Sequence, residues 1–187
     1  MVSDDIGILS MRKPKRWGYT KCVVASVFYL IREKLRNGVV FHPSDGDAKQ
    51  FTRQEINPVM AAMPVVAEQI VGGDVNKKGK DNTLETKVFK NGVALDIKGG
   101  KSPANYRALT KDFAVYEELA AFDEDIGGEG SALFLGDGRL DQSPFPKSIR
   151  GSTPKTKGTC MMEKSMSDAD MVFKRYIPCP HCGHMQY

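Results

Sequence analysis

Phe113-Ala114-Val115-Tyr116-Glu117-Glu118 is a short apolar run that stops at two adjacent carboxylates. It reads as a strand whose tip carries paired acids, the arrangement by which nucleotide hydrolases hold magnesium and poise a water beside a terminal phosphate. In that reading Glu117 holds the metal and Glu118 polarises the attacking water. Upstream, Arg16-Trp17-Gly18-Tyr19-Thr20-Lys21 leads into an apolar helical stretch, where a phosphate loop should lie. Downstream, Ile149-Arg150-Gly151-Ser152-Thr153-Pro154 reads as a further strand tip bearing hydroxyls. Three polar strand ends in this order predict one nucleotide site.

The surrounding pattern predicts an α/β fold. Residues 6–9 form a strand candidate, and residues 20–35 place Val24, Val27, Phe28, Ile31 and Leu35 on one helical face. Val39-Val40-Phe41 reads as a buried strand, and the loop from Pro43 leads into a helix over 47–56. Strand, helix, strand, helix in succession builds a parallel sheet. Residues 84–89 and 93–97 alternate about Asn91-Gly92, a hairpin signal that reads as an insertion. Residues 72–82 and 123–130 read as loops, 161–171 as a helix and 172–177 as a strand.

The 187 residues suit one domain, and the net charge of +4 is compatible with a nucleic-acid partner without requiring one. The longest apolar stretch, 22–31, is about ten residues, far short of the roughly 20 that span a bilayer. Met1 is followed by acids rather than a basic and then an apolar segment, which argues against a secretory signal. The four cysteines, with Cys22 and Cys160 isolated, make no disulfide framework. These features describe an intracellular chain with no membrane partner.

The standard phosphate loop reads G-x-x-x-x-G-K-[ST], with backbone N–H groups around phosphate and a hydroxyl directed to Mg²⁺. Placing Gly18 on the second glycine puts Thr20 on the hydroxyl, Tyr19 on the lysine and Lys13 on the first glycine. The positive charge is thus moved to the start of the loop, with Arg16 and Lys21 nearby, and a lysine at either end can reach the β- and γ-phosphates.

Taken together, these segments resemble the ATPase domain of phage terminase large subunits of the lambda-like GpA family. Asn105-Tyr106-Arg107, residues 116–123, residues 146–155, Gly158-Thr159-Cys160 and Cys179-Pro180-His181-Cys182-Gly183 carry the likeness, which runs from about Lys13 onward. The ten N-terminal residues do not share it. The resemblance implies a P-loop fold of the ASCE type, with ATP and Mg²⁺ as cofactors. It assigns Lys13, Arg16, Gly18, Tyr19, Thr20 and Lys21 to the nucleotide, Thr20 and Glu117 to Mg²⁺, and Glu118 to catalysis. Arg16 becomes a γ-phosphate sensor or arginine finger, and Gly151, Ser152 and Thr153 become the coupling motif.

The implied activity is packaging of double-stranded DNA into procapsids by a homo-oligomeric motor in the host cytoplasm, with a small subunit and a portal as partners. The parent protein would also be an endonuclease. Residues 1–177 would be the motor domain, and 178–187 the start of a linker toward a nuclease. Relative to the family the chain reads as truncated at both ends, and an inactive prophage fragment that binds DNA or a packaging subunit is the alternative. Cys179 and Cys182 supply half of a Zn²⁺ knuckle, which needs four ligands to close.

Overall fold

The computed structural model describes residues 1–71, 81–155, 160–167, 169–174 and 176–186. Most of the loop read over 72–82, together with Gly158 and Thr159, lies outside them. A single sheet organises the chain. Strands β1 (Ile8–Arg12), β2 (Gly38–His42), β4 (Ala94–Gly99), β5 (Phe113–Glu117) and β6 (Lys147–Ser152) are parallel, and β3 (Thr86–Val88) runs antiparallel at one edge. The order is β1-β6-β5-β2-β4-β3. Every residue of β2, β5 and β6 is buried, because helices cover both faces and leave no solvated side to impose alternation.

The hairpin about Asn91-Gly92 forms as the sequence predicts. Gly92 takes φ +82° and Asn91 Oδ1 accepts the Val93 N–H. It is not an insertion, however. Its second strand, β4, pairs in parallel with β2 from Gly38↔Leu95 to His42↔Gly99, so the hairpin extends the main sheet.

Helix α1 (Tyr19–Arg32) buries Val23, Val24, Val27, Phe28, Leu30 and Ile31 against one face. It ends earlier than its apolar spacing predicts. Leu35 adopts φ +53°, is exposed, and turns the chain back so that Arg36 pairs with Asp4 at 2.9 Å. The helix expected over 47–56 starts at α2 (Asp45–Phe51), where Ser44 Oγ accepts the Asp47 N–H. It passes through a π-helical turn, Thr52–Ile56, into α3 (Asn57–Ala62), followed by α4 (Pro64–Ala67). Pro58 lacks the N–H that an α-helical ladder would need there, and the wider turn accommodates it.

The other face packs Phe41, Tyr106, Tyr116, Phe122, Met161 and Met162, with the Phe41 ring 4.6 Å from that of Tyr106. Helices α5 (Ala132–Asp137) and α6 (Met161–Ser167) lie on this side. The 161–171 helix is therefore shorter than expected. Among the described residues of the 172–177 strand only its last is extended into a ladder, in β7 (Ile177–Pro178), which pairs with β8 (Met185–Gln186) in a separate ribbon. Asn105-Tyr106-Arg107 is structural: Asn105 donates to Gly99 O, the Tyr106 hydroxyl donates to Gly100 O, and Arg107 pairs with Glu129. No helix among the described residues is long and apolar enough to cross a membrane.

Candidate functional site

Side chains alternate faces along a strand, so residues two apart share one. Val40, Val115 and Ile149 all belong to the core under α1. Two residues further on, at the strand tips, the same face presents His42, Glu117 and Gly151 in a row. The registers Phe41↔Tyr116 and Glu117↔Gly151 fix that alignment. Gly151 is required there, since a Cβ would lie 2.0 Å from the Tyr19 ring. With Tyr19 seated over Gly151, the first turn of α1 meets the strand tips, and Thr20 comes close enough to the Glu117 carboxyl to act on its proton affinity.

The remaining parts come from the neighbouring strands. Beyond β1, the Lys13 N–H continues the ladder to Ser152 O at 3.0 Å. The Lys13 side chain is buried, its ammonium 2.6 Å from Glu118 Oε1 and 5.2 Å from the Tyr19 ring centre. Glu118 is turned out of the strand by a left-handed backbone, φ 56° and ψ 46°, which separates it from its buried neighbour Glu117. Ser152 Oγ accepts the Ala120 N–H, donates to Thr153 O, and lies 3.4 Å from Glu118 Oε2.

Lys13, Tyr19, Thr20, Glu117, Glu118, Gly151 and Ser152 therefore lie together at the strand tips. Gly18 caps α1 with φ +80° and no side-chain hydrogen bond, leaving the first-turn N–H groups without a side-chain acceptor. One expected residue is directed elsewhere. Lys21 is exposed and bonds Glu55 Oε2 at 2.5 Å, because the π-helical turn brings Glu55 beneath it. Arg16 sits on the exposed loop with φ +61°. Thr153 enters only through its carbonyl.

Three buried polar atoms around this cluster have no hydrogen-bond partner: Tyr19 Oη, Glu117 Oε1 and His42 Nε2. Burial pushes the Glu117 carboxyl up to about 7 against the pull of Lys13, with Glu118 adding to the rise and Thr20 opposing it. Burial also pushes the Tyr19 hydroxyl far up and the His42 imidazole down to about 4. Sequence reasoning missed His42. Its signal was a polar residue closing the apolar run Val39-Val40-Phe41, the same pattern that exposed Glu117.

The raised Glu117 value makes a testable statement about stability. In the folded protein the carboxyl keeps its proton to about pH 7, whereas unfolded it ionises near 4.5. Its stabilising share is complete below the unfolded value and is lost as pH rises through about 7. His42 works in the opposite sense, since only the unfolded imidazole takes a proton between about 4 and 6.5. Comparison with Glu117→Gln isolates the carboxyl. In chelator, the variant should melt with the wild type at pH 5 and above it at pH 8, by up to about 3 kcal/mol. A gap that does not change with pH would refute the assignment.

At the far end, the β7–β8 ribbon closes on a turn in which Cys179 N–H donates to His184 O and Gly183 N–H donates to Cys179 O. Backbone hydrogen bonds from His181 and Cys182 to the Cys179 sulfur hold that thiol below its ordinary value. Among the described residues, no group of three or more His, Cys, Asp or Glu side chains is placed to hold a metal.

A polar crevice at the carboxyl ends of parallel strands is where open α/β sheets bind their ligands. Residues 1–187 match the family described as phage terminase large subunit gpA, ATPase domain, and the chain belongs to that family. The match includes the ten N-terminal residues in which the sequence alone showed no likeness. The chain is 43% identical to the terminase large subunit of Escherichia phage lambda and 40% identical to that of Enterobacteria phage P21, each over 187 residues. It spans 29% of the length of each relative. The Thermus phage P74-26 large terminase ATPase domain superposes with a TM-score of 0.49 at 16% identity, over 75% of this chain and 57% of that one.

Proposed function

We propose that this domain binds ATP with Mg²⁺ and hydrolyses it as the motor of a DNA-packaging terminase. The observation that carries the reading is the meeting of Lys13, Thr20, Glu117 and Glu118 at the mouth of α1. Lys13 and the free N–H groups of Tyr19 and Thr20 would cradle the phosphates, aided by the helix dipole. Glu118 would accept the proton of the attacking water, and Arg16 would reach transition-state charge from the exposed loop.

The Thr20 hydroxyl and the unpartnered Glu117 Oε1 fit Mg²⁺, which takes one or two protein oxygens and completes its shell with phosphate and water. When bound, the ion would neutralise charge on the β- and γ-phosphates. Gly151, Ser152 and Thr153 join the strand tip to Glu118 and would pass the state of the site to the DNA-gripping parts. The motor would act as a homo-oligomer on double-stranded DNA in the host cytoplasm, with a small subunit and a portal as partners and endonuclease activity elsewhere in the parent protein.

The expected result is slow ATPase activity that requires Mg²⁺ and rises with added DNA. A calorimetric titration showing no nucleotide binding would overturn it. Salt-sensitive DNA binding indifferent to ATP would instead favour a non-catalytic binding module.

We also propose that Cys179 and Cys182 hold half of a Zn²⁺ site, with residues 178–187 forming a unit distinct from the motor. The turn that directs N–H groups to the Cys179 sulfur favours it, because such bonds stabilise a thiolate ligand. Two ligands leave a tetrahedral site open, so the chain should bind Zn²⁺ only weakly, and a Cys179→Ser/Cys182→Ser variant binding it equally well would refute the assignment.

A further inference from the structure

His42 closes β2 one strand over from Glu117, on the same face, and is 7% exposed. Its ring packs 4.5 Å from that of Phe51, and its own carbonyl accepts the Gly100 N–H. These contacts fix the imidazole but leave Nε2 buried and unpartnered. An unmet buried polar atom is costly, so its persistence at the strand tips that carry the candidate site calls for a function. The register sets His42 opposite Glu117, the residue before the acid assigned to the water, and the charges of Asp47 and Glu118 both act on the ring. At neutral pH the ring is uncharged and can give or take one hydrogen bond.

We propose that His42 Nε2 is a second catalytic contact to the attacking water, fixing its orientation while Glu118 takes its proton. This rests on the reading of the site as an ATP hydrolase. A carboxylate alone accepts a proton from a water free to rotate about that bond, whereas a second fixed partner restricts the attack direction. Glu117, the other acid at the tip, stands near Thr20 with Oε1 unpartnered and is left for the metal.

The test compares ATP turnover by wild type, His42→Phe and His42→Gln in the full chain, with melting temperature as a folding control. His42→Phe should lower kcat roughly 100-fold with little change in KM, as for loss of a single fixed transition-state hydrogen bond. His42→Gln, whose amide nitrogen reaches the Nε2 position, should recover most of the rate. Equal losses in both variants, wild-type kcat in His42→Phe, or a change confined to KM would overturn the proposal. If the phenylalanine variant does not fold, His42→Asn replaces it, because its shorter amide stops short of Nε2 and should stay slow where glutamine recovers. An inactive wild type would count against the hydrolase reading instead, before any variant is compared.

Discussion

Glu118→Gln is expected to lower ATP turnover roughly a thousandfold while leaving nucleotide binding intact. Glutamine keeps the shape and the neighbours of Glu118 but cannot accept the proton of water. The same substitution removes the charge that Lys13 contacts at 2.6 Å. In the wild type, a phosphate arriving at Lys13 must compete with that carboxylate. Because the Glu118 side chain is 48% exposed, the ion pair is worth no more than about 1 kcal/mol. The variant should therefore bind ATP up to about fivefold tighter, since 1.4 kcal/mol corresponds to tenfold. Trp17 is the single tryptophan and lies in the phosphate-loop segment, so its fluorescence follows binding without a label. A variant that turns over at the wild-type rate would remove Glu118 from catalysis. One that no longer binds would show that the carboxylate organises the loop rather than the water.

The parts of this site that sequence exposed are those that depend on short range. Phe113–Glu117 is apolar because both its faces are covered, and Val23 to Ile31 repeat at helical spacing because one face is. Asn91-Gly92 turns because glycine tolerates positive φ. What stayed hidden depends on which strand lies beside which. The placement of β6 between β1 and β5, which brings Ser152 to both Lys13 and Glu118, is set by distant packing and leaves no mark in local pattern. The alternation of β4 reads the same in a free hairpin as in the main sheet.

Lys21 looked like a phosphate ligand because it is basic and next to Thr20, yet a π-helical turn beside Pro58 gave it Glu55 instead. Helix α5 escaped notice because it has six residues, among them a glycine and an exposed Phe134, too few to show a stripe. His42 was legible in principle. Its meaning depended on Glu117 standing in the adjacent strand at the same height.

Arg150→Met is expected to destabilise the domain by about 3 kcal/mol, the low end of what removing one partner of a buried ion pair costs. Arg150 lies on β6 directly before Gly151, on the face away from α1. Its guanidinium donates to Ser148 Oγ at 3.0 Å, Ser165 Oγ at 2.9 Å and Asp137 Oδ2 at 2.5 Å. Asp137 in turn accepts the Tyr116 hydroxyl at 2.8 Å, and Ser165 shares a 2.7 Å bond with Ser10 on β1. One side chain thus ties β1, β5, β6, α5 and α6 together behind the strand tips. Methionine fills much of the same volume but leaves Asp137 without its cation and Ser165 without one donor. Asp137 is partly exposed and can recruit water, which is why the low end of the range applies. A melting temperature lower by roughly 10 °C follows for a domain of this size. Arg150→Lys should lose less, since an ammonium keeps the charge but cannot hold three acceptors in one plane. Adding Asp137→Leu to Arg150→Met should recover part of the loss, because an apolar pair leaves no buried charge unmatched. An Arg150→Met protein melting with the wild type would show that the network binds nothing together.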